Sequence, residues 1–244
     1  MTGNRADAYV ARPDTAGPHP GVLFLVDAFG VREQTRRMAD RIASWGYVVL
    51  APNVFYRSGT AEELEPTESL LTPDGRAAAY AALRPRTRSL TDEALMADLP
   101  AYIDALQALP GVTPGPIGIT GYCMGGRLAL RAATIRPDDV AAVGLFHTGG
   151  LVTDTPDSPH LSLADVAATV LAVHADGDRS LPPQAIAQFE HALITAGVTH
   201  STTVYPGAEH GYTMADTSSY NHDAAEYHFT ELATLFRRTL PRGG

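Results

Sequence analysis

The chain is poor in the residues that build crosslinked, membrane-spanning or polyanion-binding proteins. Its 244 residues include one cysteine, Cys123, so no intramolecular disulfide can form, and a free thiol persists best in a reducing compartment. No apolar run approaches the roughly 20 residues needed to cross a bilayer. The first segment, Met1-Thr2-Gly3-Asn4-Arg5-Ala6-Asp7, lacks the apolar stretch of a secretory signal. These shortages predict a cytoplasmic protein with no membrane partner. Eighteen basic residues against 27 acidic ones leave a formal charge of −9. The basic residues form no dense cluster, so nucleic acid is not an expected partner. There is no internal repeat, no low-complexity tract and no heptad seam, and the last leaves the oligomeric state open.

What is present suits one substantial core. With 45% hydrophobic residues, a chain of this length is commonly one α/β unit, and a single domain over residues 1–244 is expected. Gly21 to Val26 is a continuous apolar run, as in a strand covered on both faces. Val31 to Trp45 has helical spacing, with Met38, Ile42 and Trp45 available to one face and Gly46 where a C-terminal cap belongs. Tyr47 to Pro52 reads as the next strand. A helix from about Thr91 to Leu109, a strand over Pro116 to Thr120 and a helix from Met124 to Ala133 continue the alternation. Val140 to Phe146, Thr169 to His174 and Thr202 to Tyr205 read as further strands, and Pro183 to Ala196 as a helix. A last helix over Asn221 to Thr239 carries Ala225, Phe229, Leu232 and Phe236 near the spacing of a buried stripe. This rhythm predicts an α/β fold, a mostly parallel, doubly wound sheet with helices on both faces. Two segments interrupt it, at about 56–91 and 148–168. They are expected as excursions above the strand ends, where loops form pockets; Arg76 to Leu83 in the first is compatible with a helix.

The single thiol sits in Gly121-Tyr122-Cys123-Met124-Gly125-Gly126, between a predicted strand and a predicted helix. Gly-x-nucleophile-x-Gly in that setting is the nucleophile elbow, whose tight turn lifts the side chain above the sheet. A thiol near its ordinary pKa is mostly protonated at neutral pH, so it needs a base within reach and a carboxylate to orient that base. Asp178 follows the strand ending at His174, and His210 follows the next strand, in the order nucleophile, acid, histidine of α/β hydrolases. His147 and His174 also stand at strand ends and are rivals for the base, as Asp176 is for the acid. His191, His222 and His228 lie on predicted helices and are expected at the surface; His19, His160 and His200 lie in loops or turns. No spacing among the nine histidines and the cysteine has the form of a structural zinc site.

Gly-Tyr-Cys-Met-Gly-Gly, Asp178 followed by Leu181-Pro182, and Ala208-Glu209-His210-Gly211-Tyr212 together resemble the dienelactone hydrolase family, the cysteine branch of the α/β-hydrolase fold. The resemblance runs from about Pro20 to the final helix. It implies a Cys123 nucleophile, His210 as base and then acid, and Asp178 holding His210. It also implies an oxyanion hole from the backbone N–H groups of Met124 and Ala28. Two departures matter. The family's Glu-x-Phe-Gly becomes Asp27-Ala28-Phe29-Gly30, so Asp27 is expected either to modulate the thiol or to be tied up by loop N–H groups. The family's substrate-binding arginine after the histidine becomes Met214. Arg57, or one of Arg84, Arg86 and Arg88, could supply a cation instead. Phe29, Tyr122, His147, Tyr212 and Met214, with Phe55 and Phe146, are the candidates to line the pocket.

The resemblance implies a carboxylic ester or lactone hydrolase, of the carboxymethylenebutenolidase type, acting on a small molecule through a cysteine thioester without metal or organic cofactor. The alternative is a hydrolase-like fold that binds a small ligand without turnover or senses oxidants through Cys123.

Overall fold

A computed structural model describes residues 5–240. The ends of the expected 1–244 span, including Met1 to Asn4, lie outside the described residues. The central strand β2 (Gly21–Leu25) is buried along its whole length, as its unbroken apolar run demands. Around it stand β1 (Ala8–Ala11), β3 (Val48–Pro52), β4 (Ile117–Tyr122), β5 (Val140–Phe146), β6 (Thr169–Ala175) and β7 (His200–Tyr205) in the order β1-β3-β2-β4-β5-β6-β7. All neighbours are parallel except β1 against β3. The helices are α1 (Glu33–Ala43), α2 (Ala61–Leu64), α3 (Pro73–Thr87), α4 (Asp92–Gln107), α5 (Met124–Ile135), α6 (Pro183–Thr195) and α7 (His222–Thr239).

β1 was not anticipated. It is four residues long, two of them alanine, and its burial follows no clean alternation. It exists because its register against β3 pairs Ala8 with Pro52 and Ala11 with Val49, an instruction held by the partner. α3 is longer than Arg76 to Leu83: Thr72 accepts the Gly75 N–H as an N-cap, and the helix runs on through Pro85 to Thr87, although the proline cannot donate to the carbonyl of Ala81. His228, expected at the surface of α7, is fully buried. Its Nε2 lies 3.2 Å from the Tyr122 hydroxyl and its ring 4.6 Å from that of Phe146. Helical periodicity gives a stripe, and the neutral imidazole joins it because α7 packs on β5 and β6. Burial drops His228 to about 3, which keeps it uncharged.

The order reverses at β2: β3 is laid on one side of it and β4 on the other. Strands that part in this way leave a crevice at their carboxyl ends, where ligands bind in open α/β sheets. Cys123 follows β4 at that point, and Ala28 follows β2. The approach of α5 to the sheet is very close. A Cβ on Gly125 would overlap the carbonyls of Leu25 and Val26, and one on Gly121 the carbonyl of Gly125. Because backbone cannot retreat as a side chain can, Gly125→Ala is expected to destabilise the fold by about 3 kcal/mol, the upper part of the overpacking range. Urea unfolding would measure it; a loss below about 1 kcal/mol would show that the helix can slide.

Candidate active site

Cys123 sits at φ 54° and ψ −117°, a region that non-glycine residues rarely enter. Its N–H donates to the Phe146 carbonyl at 3.0 Å, and its own carbonyl accepts from Gly126 at 3.2 Å. These contacts and the glycines beside it hold the turn, which projects the sulfur over the carboxyl end of the sheet. His210 Nε2 lies 2.9 Å from Cys123 Sγ, and His210 Nδ1 lies 2.6 Å from Asp178 Oδ2. The other oxygen of Asp178 accepts from the Ser180 hydroxyl at 2.6 Å and the Ser180 N–H at 2.8 Å. Asp176, the rival acid, accepts the Gly207 N–H at 3.0 Å and serves the turn.

The electrostatics follow from these contacts. Burial works against a charged His210, but hydrogen bonds to Asp178 and Cys123, and their negative charges, outweigh it and raise the ring to about 10. Asp178 is likewise pushed up by burial, yet its bonds with His210 and Ser180 bring it below its ordinary value. His147, the other imidazole at the site, is held well below its usual range by burial and by the neighbouring charge of His210, its ring 5.3 Å away. Its Nε2 meets the Thr213 hydroxyl at 2.8 Å. His174 is buried against Phe189 and lowered to about 4 by that burial. Of these three histidines, only His210 touches the sulfur.

A cavity of about 170 Å³ opens beside the sulfur. Phe29, His147 and Met214 line it, as does Ala28. The other candidates do not, and Phe55 and Phe146 are core residues. Tyr122 stacks in the core between Phe24 and Phe146, because its strand position turns it away from the sulfur. Tyr212 is fully buried behind His147. Arg57 turns to Asp98, with Nη2 2.9 Å from Oδ1, and lies over the Tyr56 ring. Arg86 is no closer; it donates to the Leu64 carbonyl at 2.7 Å. Met124, at the first position of α5, has the kind of N–H that a helix start leaves unpaired. Asp27 borders the cavity, but its oxygens take the Arg32 guanidinium at 2.7 and 3.0 Å and the Phe29 N–H at 3.0 Å. The loop N–H contact expected for it is present, with Arg32 as an unforeseen partner.

Arg76 and Tyr80 of α3 do line the cavity and were missed. They stand four apart, one above the other on a helix face, and Tyr80 packs edge-on against Phe29 at 5.3 Å. That spacing was the available signal, hidden within a segment dominated by turn residues. Ser180 was also missed, since nothing local distinguishes it from a loop serine. Among the described residues, no group of three or more His, Cys, Asp or Glu side chains is arranged to hold a metal, and no helix is long and apolar enough to cross a membrane.

The model of the dienelactone hydrolase family matches residues 6–240. A Synechocystis sp. protein provisionally named a carboxymethylenebutenolidase is 31% identical over 235 residues, 95% of this chain and 91% of its own. The carboxymethylenebutenolidase of Rhodococcus opacus is 28% identical over 239 residues, covering 96% of this chain and 87% of its own. A crystal structure from Klebsiella pneumoniae, provisionally described as a dienelactone hydrolase, superposes with a TM-score of 0.81 at 26% identity, over 97% of this chain and 95% of that one. The architecture is that of the α/β hydrolases, and the relatives mark the chain as a hydrolase.

Removing the sulfur takes away one hydrogen bond and one charge that raise His210. In Cys123→Ala, the His210 ring is therefore expected to titrate well below about 10 in an NMR pH series. An unchanged midpoint would contradict the contact.

Proposed function

This chain belongs to the dienelactone hydrolase family, and from that premise we propose that it hydrolyses a small carboxylic ester or lactone through an acyl-cysteine on Cys123. The observation that carries the reading is the unbroken line from Asp178 Oδ2 to His210 at 2.6 Å and from His210 to Cys123 Sγ at 2.9 Å. His210, raised to about 10, can hold the proton that the thiol gives up, and the working pair is then thiolate and imidazolium. The substrate carbonyl settles toward the N–H groups of Met124 and Ala28. Sγ attacks its carbon, and the developing oxyanion is stabilised by those two donors. The carbon–oxygen bond then breaks, and the Nε2 proton of His210 goes to the leaving alkoxide; in a lactone, the ring opens and the product stays attached. Neutral His210 next takes a proton from water, whose oxygen attacks the thioester. Collapse of that adduct releases the carboxylic acid and restores the thiolate–imidazolium pair.

The substrate class follows from the cavity. About 170 Å³ suits a small molecule. Arg76 supplies the cation that Met214 does not, so an ester or lactone bearing a carboxylate fits best. Phe29, Tyr80 and Met214 offer apolar contact for the carbon skeleton.

Cys123→Ala is expected to retain the fold and lose turnover of small aryl esters and lactones by at least about 10³-fold; full activity would overturn the mechanism. Saturable binding without turnover by the unaltered protein would favour a ligand-binding role instead. Arg76→Met is expected to raise KM about tenfold for a carboxylate-bearing ester, about 1.4 kcal/mol, and to leave a neutral ester of the same size unaffected. Equal effects on both esters would remove Arg76 from anion recognition.

A further inference from the structure

Arg32, at the entry to α1, is 3% exposed, and its guanidinium is fully engaged. Nη1 and Nη2 donate to the two oxygens of Asp27 at 2.7 and 3.0 Å. Nε and Nη2 donate to the two oxygens of Asp216 at 2.6 and 3.1 Å, and Nη1 also reaches the Gly30 carbonyl at 3.2 Å. Asp27 lines the cavity, whereas Asp216 lies just outside its lining. Asp27 directly precedes Ala28. Asp216 stands in the loop after His210, beside Met214 and Thr217, which line the cavity. One cation thus ties the loop after β2 to the loop that follows His210.

Charge makes the contact more than a brace. Asp27 is 4% exposed and borders the same small cavity as the sulfur. Burial raises the Tyr80 hydroxyl, and proximity to Cys123 and Asp27 adds to the rise. A buried carboxylate near a thiolate opposes formation of the second negative charge. The groups facing the sulfur are His210 in contact, Asp178 behind it, and Asp27, Tyr80, His147 and Arg76 around the cavity wall. Among them Asp27 is the group whose negative charge His210 does not answer. Arg32 answers it by taking both of its oxygens.

We propose that Arg32 is a positioning residue that neutralises and turns aside Asp27, so that the Cys123 thiolate forms against His210 alone. This rests on the nucleophilic reading of Cys123. It makes Asp27 a carboxylate held out of the chemistry by its own neighbour, and it makes Asp216 the anchor that keeps Arg32 in place when the cavity fills.

The test reads the sulfur directly, through the pH dependence of iodoacetamide alkylation, with folding followed by circular dichroism. Arg32→Met leaves Asp27 unanswered and is expected to move the alkylation midpoint up by about one pH unit or more, the scale of one uncompensated neighbouring charge. Asp27→Asn is expected to leave the midpoint at or below that of the unaltered protein, and the double variant Asp27→Asn/Arg32→Met to return close to it. Arg32→Lys, which keeps the charge, is expected to stay near the unaltered midpoint. A folded Arg32→Met with an unmoved midpoint would overturn the proposal, as would a double variant that stays as high as Arg32→Met. If Arg32→Met does not fold, recovery of the fold in the double variant supports it, and failure of both assigns Arg32 to packing and overturns it. Alkylation needs no substrate, so a protein that turns over no ester but shows the expected shifts keeps this role and loses the hydrolysis; ester turnover with an unmoved midpoint does the reverse.

Discussion

A cysteine held at φ 54° between a buried strand and a helix costs of the order of 1–3 kcal/mol, and the surrounding structure is arranged to hold it there. The helix must come close enough for the turn to close, which requires Gly121 to present no side chain to the backbone of Gly125, Gly125 none to Leu25 and Val26, and Gly126 none to Thr148. β2 and β4 must be neighbours, so that the loop after β2 faces the turn after β4. β6 and β7 must then follow on the same parallel sheet, because their carboxyl ends carry Asp178 and His210 to the same rim. The elbow is therefore the geometric origin of the site: its sulfur is where the other loops have to converge.

The imidazoles show how strongly placement governs chemistry. His210, His147, His174 and His228 are the same group in four settings. Burial without an acidic partner depresses His174 and His228 to about 4 and about 3. His147 is depressed by burial and by the charge of His210. His210 is also largely buried, but the carboxylate on one nitrogen and the sulfur on the other reverse the sign, to about 10. Three neutral rings fill space or accept a hydroxyl contact, and the fourth can store the proton that an acyl transfer needs.

The cations are equally specialised. The sequence contains no lysine, so every basic side chain other than histidine is an arginine. A planar fork can grip two carboxylates bidentately at once, which a compact ammonium cannot. Arg32 does so between Asp27 and Asp216, Arg57 pairs with Asp98, and Arg41 binds Glu226 while lying over Phe229. Arg76, by contrast, stands at the cavity wall. Arg57 is held by Asp98 of α4, while the placement of α3 brings Arg76 to the cavity.

Local pattern carried much of this protein. Continuous apolar runs marked β2, β5 and β6 because strands of a covered parallel sheet bury both faces, and Gly-x-Cys-x-Gly marked the elbow because only a tight strand-to-helix turn requires that pairing of glycines. Strand-end placement brought Asp178 and His210 forward by chain order alone. Other features were decided by tertiary structure. β1 depends on its partner's register, His228 is buried by helix docking, and Tyr122 faces the core through its place in the sheet. Arg76 and Tyr80 reach the cavity, and Arg32 reaches two carboxylates, through contacts between residues far apart in the chain. Periodicity and short motifs record what each segment needs from its neighbours in sequence. Which distant charge meets which, and which face a helix turns to a cleft, is set only when the segments pack.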